Sequence, residues 1–490
     1  MTPAASFRSR LIVVSNREPY EHRRLRGRLV CQRTDGGLTS ALDPVLRRLG
    51  GTWIAWGSGS ADQEAVGPTG ALNVPPEDPA YRLRRVWLSA DEVRGAYRGY
   101  ANQVLWPLCH ITLDRVAYRK SYWPQYVAMN RRFQKAVLDE MRGRSDQAVW
   151  IHDFHLALLP ALLKRESPAT VVSVFWHVPW PGPEVFRILP ERQDLLEGLL
   201  AADALGFQTA GYAHAFAECA QTILKAEISA DGRFVHHKGG VTRLCACPIS
   251  VDFQLFNEGA KSPEVERRAA TARRKFAPRP GMRVGLGVDR LDYTKGLLKR
   301  LWALDLFFTN FPQYRGAFTF VQVAIPTRTE IETYRQYRDL ITQTVAEING
   351  RHGGEGWRPI EYHEGRIPRD TLLAYYRMAD VALVSSVYDG MNLVAKEYVA
   401  SRVDETGMLL ISQMTGSAEE LTDAVVINPY DLDGVADAIR QALEMPVEEQ
   451  LRRMRALRAH VRAQDVHAWV NQCLQDMGLP ASSVHARDDG

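Results

Sequence analysis

The chain contains the stretch Asp389-Gly-Met-Asn-Leu-Val-Ala-Lys-Glu397, which decides the fold of its second half. The apolar run Val381–Val384 before it predicts a buried strand, and residues 393–403 predict a helix. A strand, a glycine turn and a helix aim backbone N–H groups and the positive end of the helix dipole at a phosphate. Helical side chains lean toward the N-terminus, so Glu397 points back toward the ligand of Asp389. The pattern predicts a phosphorylated, polyhydroxylated ligand; an ordinary helix cap is the simpler alternative.

The composition is that of a soluble globular protein, with 46% hydrophobic and 24% charged residues among 490. A chain of this length is too long to form one hydrophobic core, which predicts two large domains or three small ones. The net charge of +4 comes from interspersed acids and bases, which argues against a nucleic-acid partner. No apolar run reaches the roughly 18 residues of a membrane helix, so no membrane partner is expected.

Six cysteines are scattered along the chain, and only Cys245 and Cys247 lie close together. Such usage in a large chain predicts reduced thiols rather than a disulfide framework. The N-terminus runs into the apolar residues 11–14 without a signal-peptide core. Both features predict a cytoplasmic protein.

Short apolar runs alternate with helical stretches along almost the whole chain, which predicts parallel sheets covered by helices. In the first half the predicted strands are 11–15, 52–55, 86–88, Ala148–His152, Val171–Trp176 and Ala204–Phe207. In the second half they are 283–288, 318–323, 360–362, Val381–Val384, Met408–Ser412 and 424–427. Amphipathic helices are predicted between them, for example over 330–349 and 432–445.

The predicted fold class is α/β, with two Rossmann-like doubly wound domains and ligands at the carboxyl ends of the strands, in the cleft between the domains. The boundary follows Cys247, where an apolar strand ends and a charged helical segment begins. Residues 1–247 form the first domain and 248–464 the second. A helix over 465–480 is predicted to pack back on the first domain, and 481–490 form a frayed tail.

Arg290 and Lys295 follow a predicted strand and lie on a loop that enters a helix. Two cations there can grip a diphosphate and neutralise the charge that builds on a leaving nucleoside diphosphate, a role otherwise taken by a metal ion. A solvated basic surface is the alternative, which the position at a strand end weakens.

His152-Asp-Phe-His155 and His177 follow two further strands. Two histidines around Asp153 are a weak sign of a metal site, since no other cluster has ligand spacing. The run Asp431-Leu-Asp433 resembles the metal-binding Asp-X-Asp of some sugar transferases, but its place after Asn428-Pro-Tyr430 favours a helix N-cap. No metal is predicted.

Gly57-Ser-Gly59 and Gly285-Leu-Gly287 lack the third glycine of a dinucleotide fingerprint, and no Gly-rich loop ends in Lys-Ser/Thr. Redox and kinase chemistry are therefore disfavoured. Ser15-Asn-Arg17 ends the first strand, and Gly36-Gly-Leu38 opens the first helix and lets backbone approach a phosphate.

Aromatic side chains accompany these polar motifs. Tyr97, Asn102 and Trp106 form an aromatic and polar cluster, and Trp53 and Trp56 flank another predicted strand. Aromatic faces stack on sugar rings, although core packing is the commoner role of a single tryptophan.

Together the motifs resemble the trehalose-6-phosphate synthase family of retaining glycosyltransferases, whose GT-B fold has two facing Rossmann-like domains. The resemblance spans residues 10 to 475, in order and without a missing block. The motifs that carry it are Ser15-Asn-Arg17, Gly36-Gly-Leu38, Leu105-Trp-Pro107, Trp150-Ile-His-Asp153, His177, Arg290-Leu-Asp-Tyr293 with Lys295, Asp389 to Glu397, and Asn428-Pro-Tyr-Asp431.

The resemblance implies that the C-terminal domain binds a nucleotide-sugar donor. The implied donor-binding residues are Gly36, Gly37, His177, Arg290, Lys295, Asp389, Asn392, Leu393 and Glu397. The two cations hold the diphosphate, helped by the backbone of the glycine pair and of the first helix turn. Glu397 binds the ribose hydroxyls, while Asp389 and His177 hold hydroxyls of the donor glucose.

The resemblance also implies that the N-terminal domain binds the acceptor. The implied acceptor-binding residues are Arg17, Trp56, Tyr97, Trp106, Asp153 and Arg328. The two arginines and Tyr97 read the phosphate of glucose-6-phosphate, and Asp153 engages the acceptor sugar beside the anomeric carbon. The implied catalytic residues are Asp153, His177, Arg290, Lys295 and Asp389.

The implied reaction moves glucose from a nucleoside-diphosphate glucose, expected to be UDP-glucose, to glucose-6-phosphate with retained configuration. In the family's front-face mechanism the leaving phosphate accepts the acceptor's proton, so no metal or cofactor is required. Positioning and electrostatic stabilisation then carry the rate. The expected partners are the two substrates and further copies of the chain in a dimer or tetramer.

Three features depart from the commonest family pattern. Tyr388 stands where an arginine often precedes the aspartate, Asp289 replaces a frequent glutamate, and the predicted loop 18–35 is longer and more basic. The proposed catalytic positions are intact. The donor base and the closure of the loop stay open.

Four alternatives to a trehalose-phosphate synthase stay open. A glucosylglycerol-phosphate synthase is disfavoured by the glycine pair, Asn102 and Arg328. A cyclitol-transferring relative is less favoured still. A non-catalytic sugar-phosphate sensor is disfavoured by the intact set of donor residues, and a metal-dependent hydrolase would rest only on His152, Asp153 and His155.

Overall fold

The computed structural model describes residues 11–34, 36–67, 69–142, 147–354, 356–476 and 478. Two compact units make up these residues. Unit 1 contains the described residues up to Ile249 together with those from His467 onward, and unit 2 contains Ser250 to Val466. The expected frayed tail, 481–490, lies outside the described residues.

Strands alternate with helices in both units. The strands are β1 Leu11–Arg17, β2 Tyr20–Leu25, β3 Arg28–Arg33, β4 Thr52–Trp56, β5 Ala71–Val74, β6 Tyr81–Val86, β7 Ala148–His152, β8 Val171–Trp176, β9 Ala204–Phe207, β10 Glu227–Ile228, β11 Phe234–His237, β12 Gly240–Ala246, β13 Arg283–Arg290, β14 Phe318–Ile325, β15 Ile360–Glu364, β16 Val381–Val384, β17 Met408–Ser412 and β18 Val425–Ile427.

The α-helices are α1 Gly37–Leu49, α2 Asp62–Ala65, α3 Ala90–Glu92, α4 Trp106–Cys109, α5 Tyr122–Met141, α6 Leu159–Glu166, α7 Pro183–Phe186, α8 Arg192–Leu199, α9 Ala210–Leu224, α10 Phe253–Lys261, α11 Pro263–Phe276, α12 Leu297–Asn310, α13 Glu332–His352, α14 Arg369–Met378, α15 Leu393–Ser401, α16 Ser417–Glu420, α17 Leu432–Glu444, α18 Val447–Ala463 and α19 Val466–Asp476. A π-helix spans Val93–Leu105, and single 3₁₀ turns span Leu113–Arg115, Phe154–Leu156, Tyr293–Lys295 and Pro312–Tyr314.

The sheet of unit 1 has the strand order β10-β11-β12-β9-β8-β7-β1-β4-β6-β5. The seven strands from β12 to β6 in that order are parallel to one another. At the two ends of the sheet, β10 with β11, β11 with β12, and β5 with β6 form antiparallel pairs. Central strands such as β1 and β7 are apolar and almost wholly buried, as expected for a parallel sheet covered on both faces. The direction of strand addition reverses between β1 and β7, so a ligand crevice is expected at their carboxyl ends.

The sheet of unit 2 has the order β15-β14-β13-β16-β17-β18 and is parallel throughout. One apolar core combines strands β13, β14, β16 and β17 with buried residues of the flanking helices α10, α11, α14, α15 and α18. Strand addition reverses between β13 and β16. The loops after these two strands therefore lie at the position where open α/β sheets bind ligands.

Most predicted strands agree with the structure, but the strand predicted at 86–88 was wrong. The observed strand β6 ends at Val86 and begins at Tyr81. Its apolar residues Tyr81 and Leu83 alternate with arginines, one of which, Arg85, is itself fully buried in ion pairs. Because an arginine occupies a buried position, the sequence lacks the apolar pattern that predicts a strand here.

The predicted loop over 18–35 was also wrong in part, because most of it is the antiparallel hairpin β2–β3. The hairpin turns at Arg26 and Gly27, with φ values of 49° and 79°. Positive φ at both central residues is the geometry of a tight type I′ turn. Arg26 at the first position, instead of the usual Asn or Asp, concealed this signal.

The last helix, α19, contacts strands of unit 1. Trp469 donates from Nε1 to the carbonyl oxygen of Cys247 at 3.1 Å. Its ring centroid lies 5.4 Å from that of Trp150 and 5.2 Å from that of Phe175. In the described part of the chain, no helix combines the length and apolar character needed to cross a membrane.

Candidate active site

Unit 2 brings Lys295 and Asp389 together at its switch point. Lys295 ends the 3₁₀ turn after β13, and Gly296 follows with a φ of 68°. A Cβ at Gly296 would lie 2.1 Å from the carbonyl oxygen of Ser385, so glycine alone permits this close approach. The turn therefore rests on the loop after β16, where the Lys295 ammonium forms an ion pair with the Asp389 carboxylate.

Asp389 and Asn392 divide the two roles that the sequence left open. Asn392 lies in the left-handed region at φ 83° and caps α15, its side chain accepting from the Ala395 N–H at 3.2 Å. Asp389 instead accepts from Ser386 Oγ and Asn392 Nδ2, both at 3.2 Å, beside its ion pair. Asn392 therefore provides the helix cap, while the Asp389 carboxylate binds the Lys295 ammonium.

The first turn of α15 begins at Leu393, directly after this cap. The first N–H groups of an α-helix have no acceptor within the helix, and the helix dipole places partial positive charge there. The mouth of α15 thus combines a positive backbone end with the cation of Lys295. This arrangement suits a phosphate group.

Glu397 lies one turn into α15. The Tyr376 hydroxyl donates to its Oε2 at 2.7 Å. Burial raises the pKa of Glu397 to about 7, and this hydrogen bond partly opposes the shift. A carboxylate held in this way can accept from a pair of neighbouring hydroxyls.

Arg290 is the last residue of β13, beside Asp289. The Asp289 carboxylate accepts from Arg300 at 2.5 Å, and Arg300 also donates to Gln322 at 2.8 Å. Arg300 is almost fully buried. The aspartate that departs from the family pattern therefore belongs to a buried network that supports the end of β13.

Arg328 follows β14 and is held from two sides. Its guanidinium donates to Asp292 Oδ2 at 2.8 Å and to the Tyr334 hydroxyl at 2.6 Å. Its backbone has a φ of 48°, which a non-glycine residue rarely adopts. The structure thus holds this guanidinium in one orientation.

In unit 1, three of the predicted acceptor residues belong to one chain of ring contacts around the end of β7, and a fourth lies beside it. Trp56 packs on Tyr97 at 5.1 Å between centroids, and Tyr97 stacks on His155 at 5.9 Å. His155 stacks on its neighbour Phe154, which contacts Trp106 at 5.8 Å. Asp153 precedes Phe154 and starts the same turn. The structure brings Trp56, Tyr97, Trp106 and Asp153 together.

Tyr97 lies on the π-helix and Trp106 directly follows it. The wider turn is braced by Asn102, whose Nδ2 donates to the Tyr97 carbonyl oxygen at 2.7 Å. π-helical segments often occur at functional sites. Here the segment presents Tyr97 toward the end of β7.

Arg17 ends β1, and α1 begins at Gly37 with Gly36 as its N-cap. A Cβ at Gly36 would lie 3.7 Å from Cδ of Arg17. The Arg17 side chain and the glycine pair are therefore neighbours, as their shared place at the β1 switch point predicts.

Asp153 follows β7 with a φ of 76°. Its N–H donates to the Phe175 carbonyl oxygen at 2.8 Å, which fixes the turn to β8. A non-glycine residue in the left-handed region is strained, and such strain concentrates at functional positions.

His177 follows β8 and lies beside His152. His152 Nδ1 and His177 Nε2 are 3.0 Å apart. Burial lowers the pKa of His177 to about 3 and that of His152 well below its usual range. Both imidazoles are therefore neutral at physiological pH, and one donates to the other.

Gln208 determines which way this hydrogen bond runs. The Ile249 N–H donates to Gln208 Oε1 at 2.9 Å, so the other amide atom is the NH₂ group. That group faces His177 Nδ1 at 3.4 Å, so Nδ1 accepts. His177 then carries its proton on Nε2 and donates it to His152 Nδ1.

The histidines around Asp153 are not arranged as a metal site. His152 is turned toward His177, and His155 Nδ1 lies 4.0 Å from Asp153 Oδ2. Across the described ranges, no three His, Cys, Asp or Glu side chains are grouped to hold a metal ion. Asp431 accepts from the Gly434 N–H at 2.9 Å and caps α17, which confirms the predicted N-cap.

Sequence reasoning missed several residues that hold the site together: Gln208, Asp292, Tyr334 and Tyr376. Gln208 directly follows β9, so a search for polar residues after predicted strands would have found it. Tyr334 and Tyr376 lie on helices and give no such signal.

The model of glycosyltransferase family 20 matches residues 9–478 of the chain. The chain belongs to glycosyltransferase family 20. Trehalose-6-phosphate synthases from Mycobacterium avium (strain 104) and Mycolicibacterium smegmatis (strain ATCC 700084 / mc(2)155) are each 39% identical to it. These alignments cover 95% of the chain and 94% and 92% of those proteins.

Solved structures agree with this family 20 assignment. An alpha,alpha-trehalose-phosphate synthase (UDP-forming) from Burkholderia xenovorans in complex with glucose-6-phosphate superposes with a TM-score of 0.86 at 30% identity, covering 96% of this chain and 100% of that one. An E. coli trehalose-6-phosphate protein bound with UDP-2-fluoro glucose gives 0.84 at 30% identity, covering 96% and 99%. The family 20 chain is a glycosyltransferase, and its α/β fold of the GT-B type, predicted from sequence, is confirmed.

Proposed function

We propose that the chain is an alpha,alpha-trehalose-phosphate synthase, which transfers glucose from UDP-glucose to glucose-6-phosphate. The products are trehalose-6-phosphate and UDP. The observation that carries the proposal is the mouth of α15, where Lys295 and Asp389 are paired and Glu397 lies one turn inside. The full-length likeness to trehalose-6-phosphate synthases supports it.

The donor is assigned to the loops after β13 and β16. Arg290 and Lys295 neutralise the diphosphate, with backbone N–H groups at Asn392 and Leu393 and at Gly36 and Gly37 adding hydrogen bonds. Glu397 accepts from the ribose hydroxyls. Asp389 accepts from one glucose hydroxyl, and His177 contacts another.

The acceptor is assigned to the ring-lined turn after β7. Trp56 and Trp106 line the sugar, and Asp153 accepts from the acceptor hydroxyl nearest the anomeric carbon. Arg17, Tyr97 and Arg328 read the phosphate, because guanidinium groups bind phosphate bidentately.

The chemistry is a front-face substitution at the anomeric carbon. The bond from that carbon to the UDP oxygen breaks, and the acceptor hydroxyl oxygen forms the new bond on the same face. The departing phosphate oxygen takes the hydroxyl proton. Arg290 and Lys295 stabilise the negative charge on the leaving group, so no metal ion is assigned a step.

A cytoplasmic location and a homo-oligomer, either a dimer or a tetramer, complete the proposal. All six cysteines are free thiols, as expected in a reducing compartment. Light scattering on the purified chain measures the oligomeric state.

One assay tests the reaction. Purified protein is given UDP-, GDP- or ADP-glucose with either glucose-6-phosphate or glycerol-3-phosphate, with and without EDTA. We expect UDP and trehalose-6-phosphate from UDP-glucose and glucose-6-phosphate, unchanged by EDTA. Turnover with glycerol-3-phosphate alone would identify a glucosylglycerol-phosphate synthase, no turnover with any pair would contradict the enzyme, and loss with EDTA would contradict the metal-independent mechanism.

A further inference from the structure

Asp292 is a fully buried carboxylate between two elements that the proposed function assigns to different substrates. It follows β13 by two residues and is the N-cap of the 3₁₀ turn Tyr293–Lys295. Its side chain has no exposed surface. A charge in this position requires partners on both oxygens.

The first oxygen holds the turn that carries Lys295. Oδ1 accepts from the Thr294 N–H at 3.1 Å and from Thr294 Oγ1 at 3.0 Å. The Lys295 N–H donates to the carbonyl oxygen of Asp292 at 3.0 Å. These bonds fix the backbone from which Lys295 reaches Asp389.

The second oxygen holds Arg328. Oδ2 accepts from the guanidinium at 2.8 Å, and the same nitrogen donates to the Tyr334 hydroxyl at 2.6 Å. The guanidinium also lies 5.4 Å from the centre of the Tyr334 ring. These contacts hold the Arg328 guanidinium, a group whose planar set of N–H donors can bind phosphate.

We infer that Asp292 is a positioning residue that couples the two substrate sites. Oδ1 orders the Lys295 turn for the donor diphosphate, and Oδ2 orders Arg328 for the acceptor phosphate. The inference rests on the proposed function, which assigns those ligands. Asp292 itself touches neither substrate and acts through Lys295 and Arg328.

Binding titrations of UDP and of glucose-6-phosphate, each alone, separate the two oxygens. Asp292→Asn keeps an oxygen for Thr294 and loses the ion pair, so glucose-6-phosphate should bind ~10-fold more weakly, with UDP within about twofold. Thr294→Val removes one donor to Oδ1, so UDP should bind roughly 3- to 10-fold more weakly, with glucose-6-phosphate unchanged. Asp292→Ala should weaken both ligands.

Asp305→Asn is the matched control, because Asp305 is another unit 2 carboxylate that holds an arginine, Arg351. It should leave both affinities unchanged. Thermal unfolding confirms that each variant is folded. If Asp292→Ala does not fold, the double variant Asp292→Asn/Thr294→Val replaces it and should weaken both ligands.

Different outcomes overturn different statements. Wild-type protein that binds neither ligand contradicts the proposed function and the inference with it. Wild-type protein that binds both, with an Asp292→Ala or replacement double variant that loses only one ligand, contradicts the inference alone. The same holds if Asp292→Asn binds glucose-6-phosphate as tightly as wild type.

Discussion

The switch points of the two units carry different chemistry. In unit 1, His152 and His177 at the ends of β7 and β8 are neutral imidazoles that hydrogen-bond each other at 3.0 Å. In unit 2, the loops after β13, β14 and β16 carry charges in pairs, Lys295 with Asp389 and Arg328 with Asp292. One parallel-sheet geometry thus supports a neutral imidazole pair in one unit and ion pairs in the other.

The difference follows from what each site is proposed to bind. Neutral, directional donors and acceptors match sugar hydroxyls without the cost of burying charge. A cation that is to meet a phosphate must stay charged in a partly buried place, and a neighbouring carboxylate keeps it so. Losing a cation should therefore cost more than re-orienting a neutral hydrogen bond.

The largest expected effect is that of Arg290→Ala. If the charge at the end of β13 stabilises the leaving diphosphate, turnover should fall by at least ~100-fold, as when one oxyanion donor is removed. Steady-state kinetics with UDP-glucose and glucose-6-phosphate measure it. Arg283→Ala, at the other end of β13, is the control and should retain activity, since Arg283 pairs with Asp380. Near-normal turnover of Arg290→Ala would remove its diphosphate role.

The pH dependence of kcat/KM for UDP-glucose tests the charged site of unit 2. Glu397 has a pKa raised to about 7 by burial, and ribose binding needs its ionised form. Below pH 7, kcat/KM for UDP-glucose should therefore fall about tenfold per pH unit. The variant Glu397→Gln should have a lower kcat/KM at pH 8 and lack this titration. A wild-type profile that is flat between pH 6 and 8 would contradict the ribose role.

The same group affects stability with a definite sign. Its pKa rises from 4.5 to about 7 on folding, so between these values the folded state binds the extra proton. This contribution to stability is complete below pH 4.5 and is lost as pH rises through 7. Glu397→Gln should remove that pH-dependent loss, which denaturant unfolding at pH 5 and pH 8 measures.

Strand positions were predictable where apolar runs are continuous. β8 and β17 agree with prediction at both ends, because Val171–Trp176 and Met408–Ser412 are apolar runs that fill a sheet buried on both faces. β6 was mispredicted because its register places Arg85 in the core with Glu18 and Asp62 as partners. Those partners lie 67 and 23 residues away, which local periodicity does not reveal.

The candidate site was predictable to a similar degree. Asp153, His177 and Asp389 follow strands, and parallel strands end at one edge of a sheet. The residues that orient them required the tertiary structure. Tyr376 reaches Glu397 from α14, 21 residues earlier in the chain, and Arg328 reaches Asp292 across 36 residues.

The variant Gln208→Glu tests the neutral imidazole pair, and its expected effect on kinetics is smaller than that of losing a cation. One carboxylate oxygen can still accept from the Ile249 N–H, while the other accepts from His177 Nδ1, which reverses the tautomer. His177 then has no proton on Nε2 to donate to His152 Nδ1, the bond that orients its ring. We therefore expect kcat/KM for UDP-glucose to fall roughly 3- to 10-fold, the value of one hydrogen bond. ¹⁵N NMR of the histidines reports the tautomer directly. A reversed tautomer with unchanged kinetics would show that the hydrogen bond from His177 to His152 does not position His177 for the sugar.

The smallest expected effect lies outside both switch points, at Asp431 after the edge strand β18. Its carboxylate caps α17 through the Gly434 N–H, so Asp431→Ala should lower the free energy of unfolding by about 1 kcal/mol and leave kcat unchanged. Asp431→Asn keeps a capping oxygen and should restore most of that stability. Denaturant unfolding and kinetics with and without EDTA measure both quantities. A loss of kcat in the folded Asp431→Ala protein would show that a residue at this edge takes part in the reaction, and that the switch points are not the only reactive places.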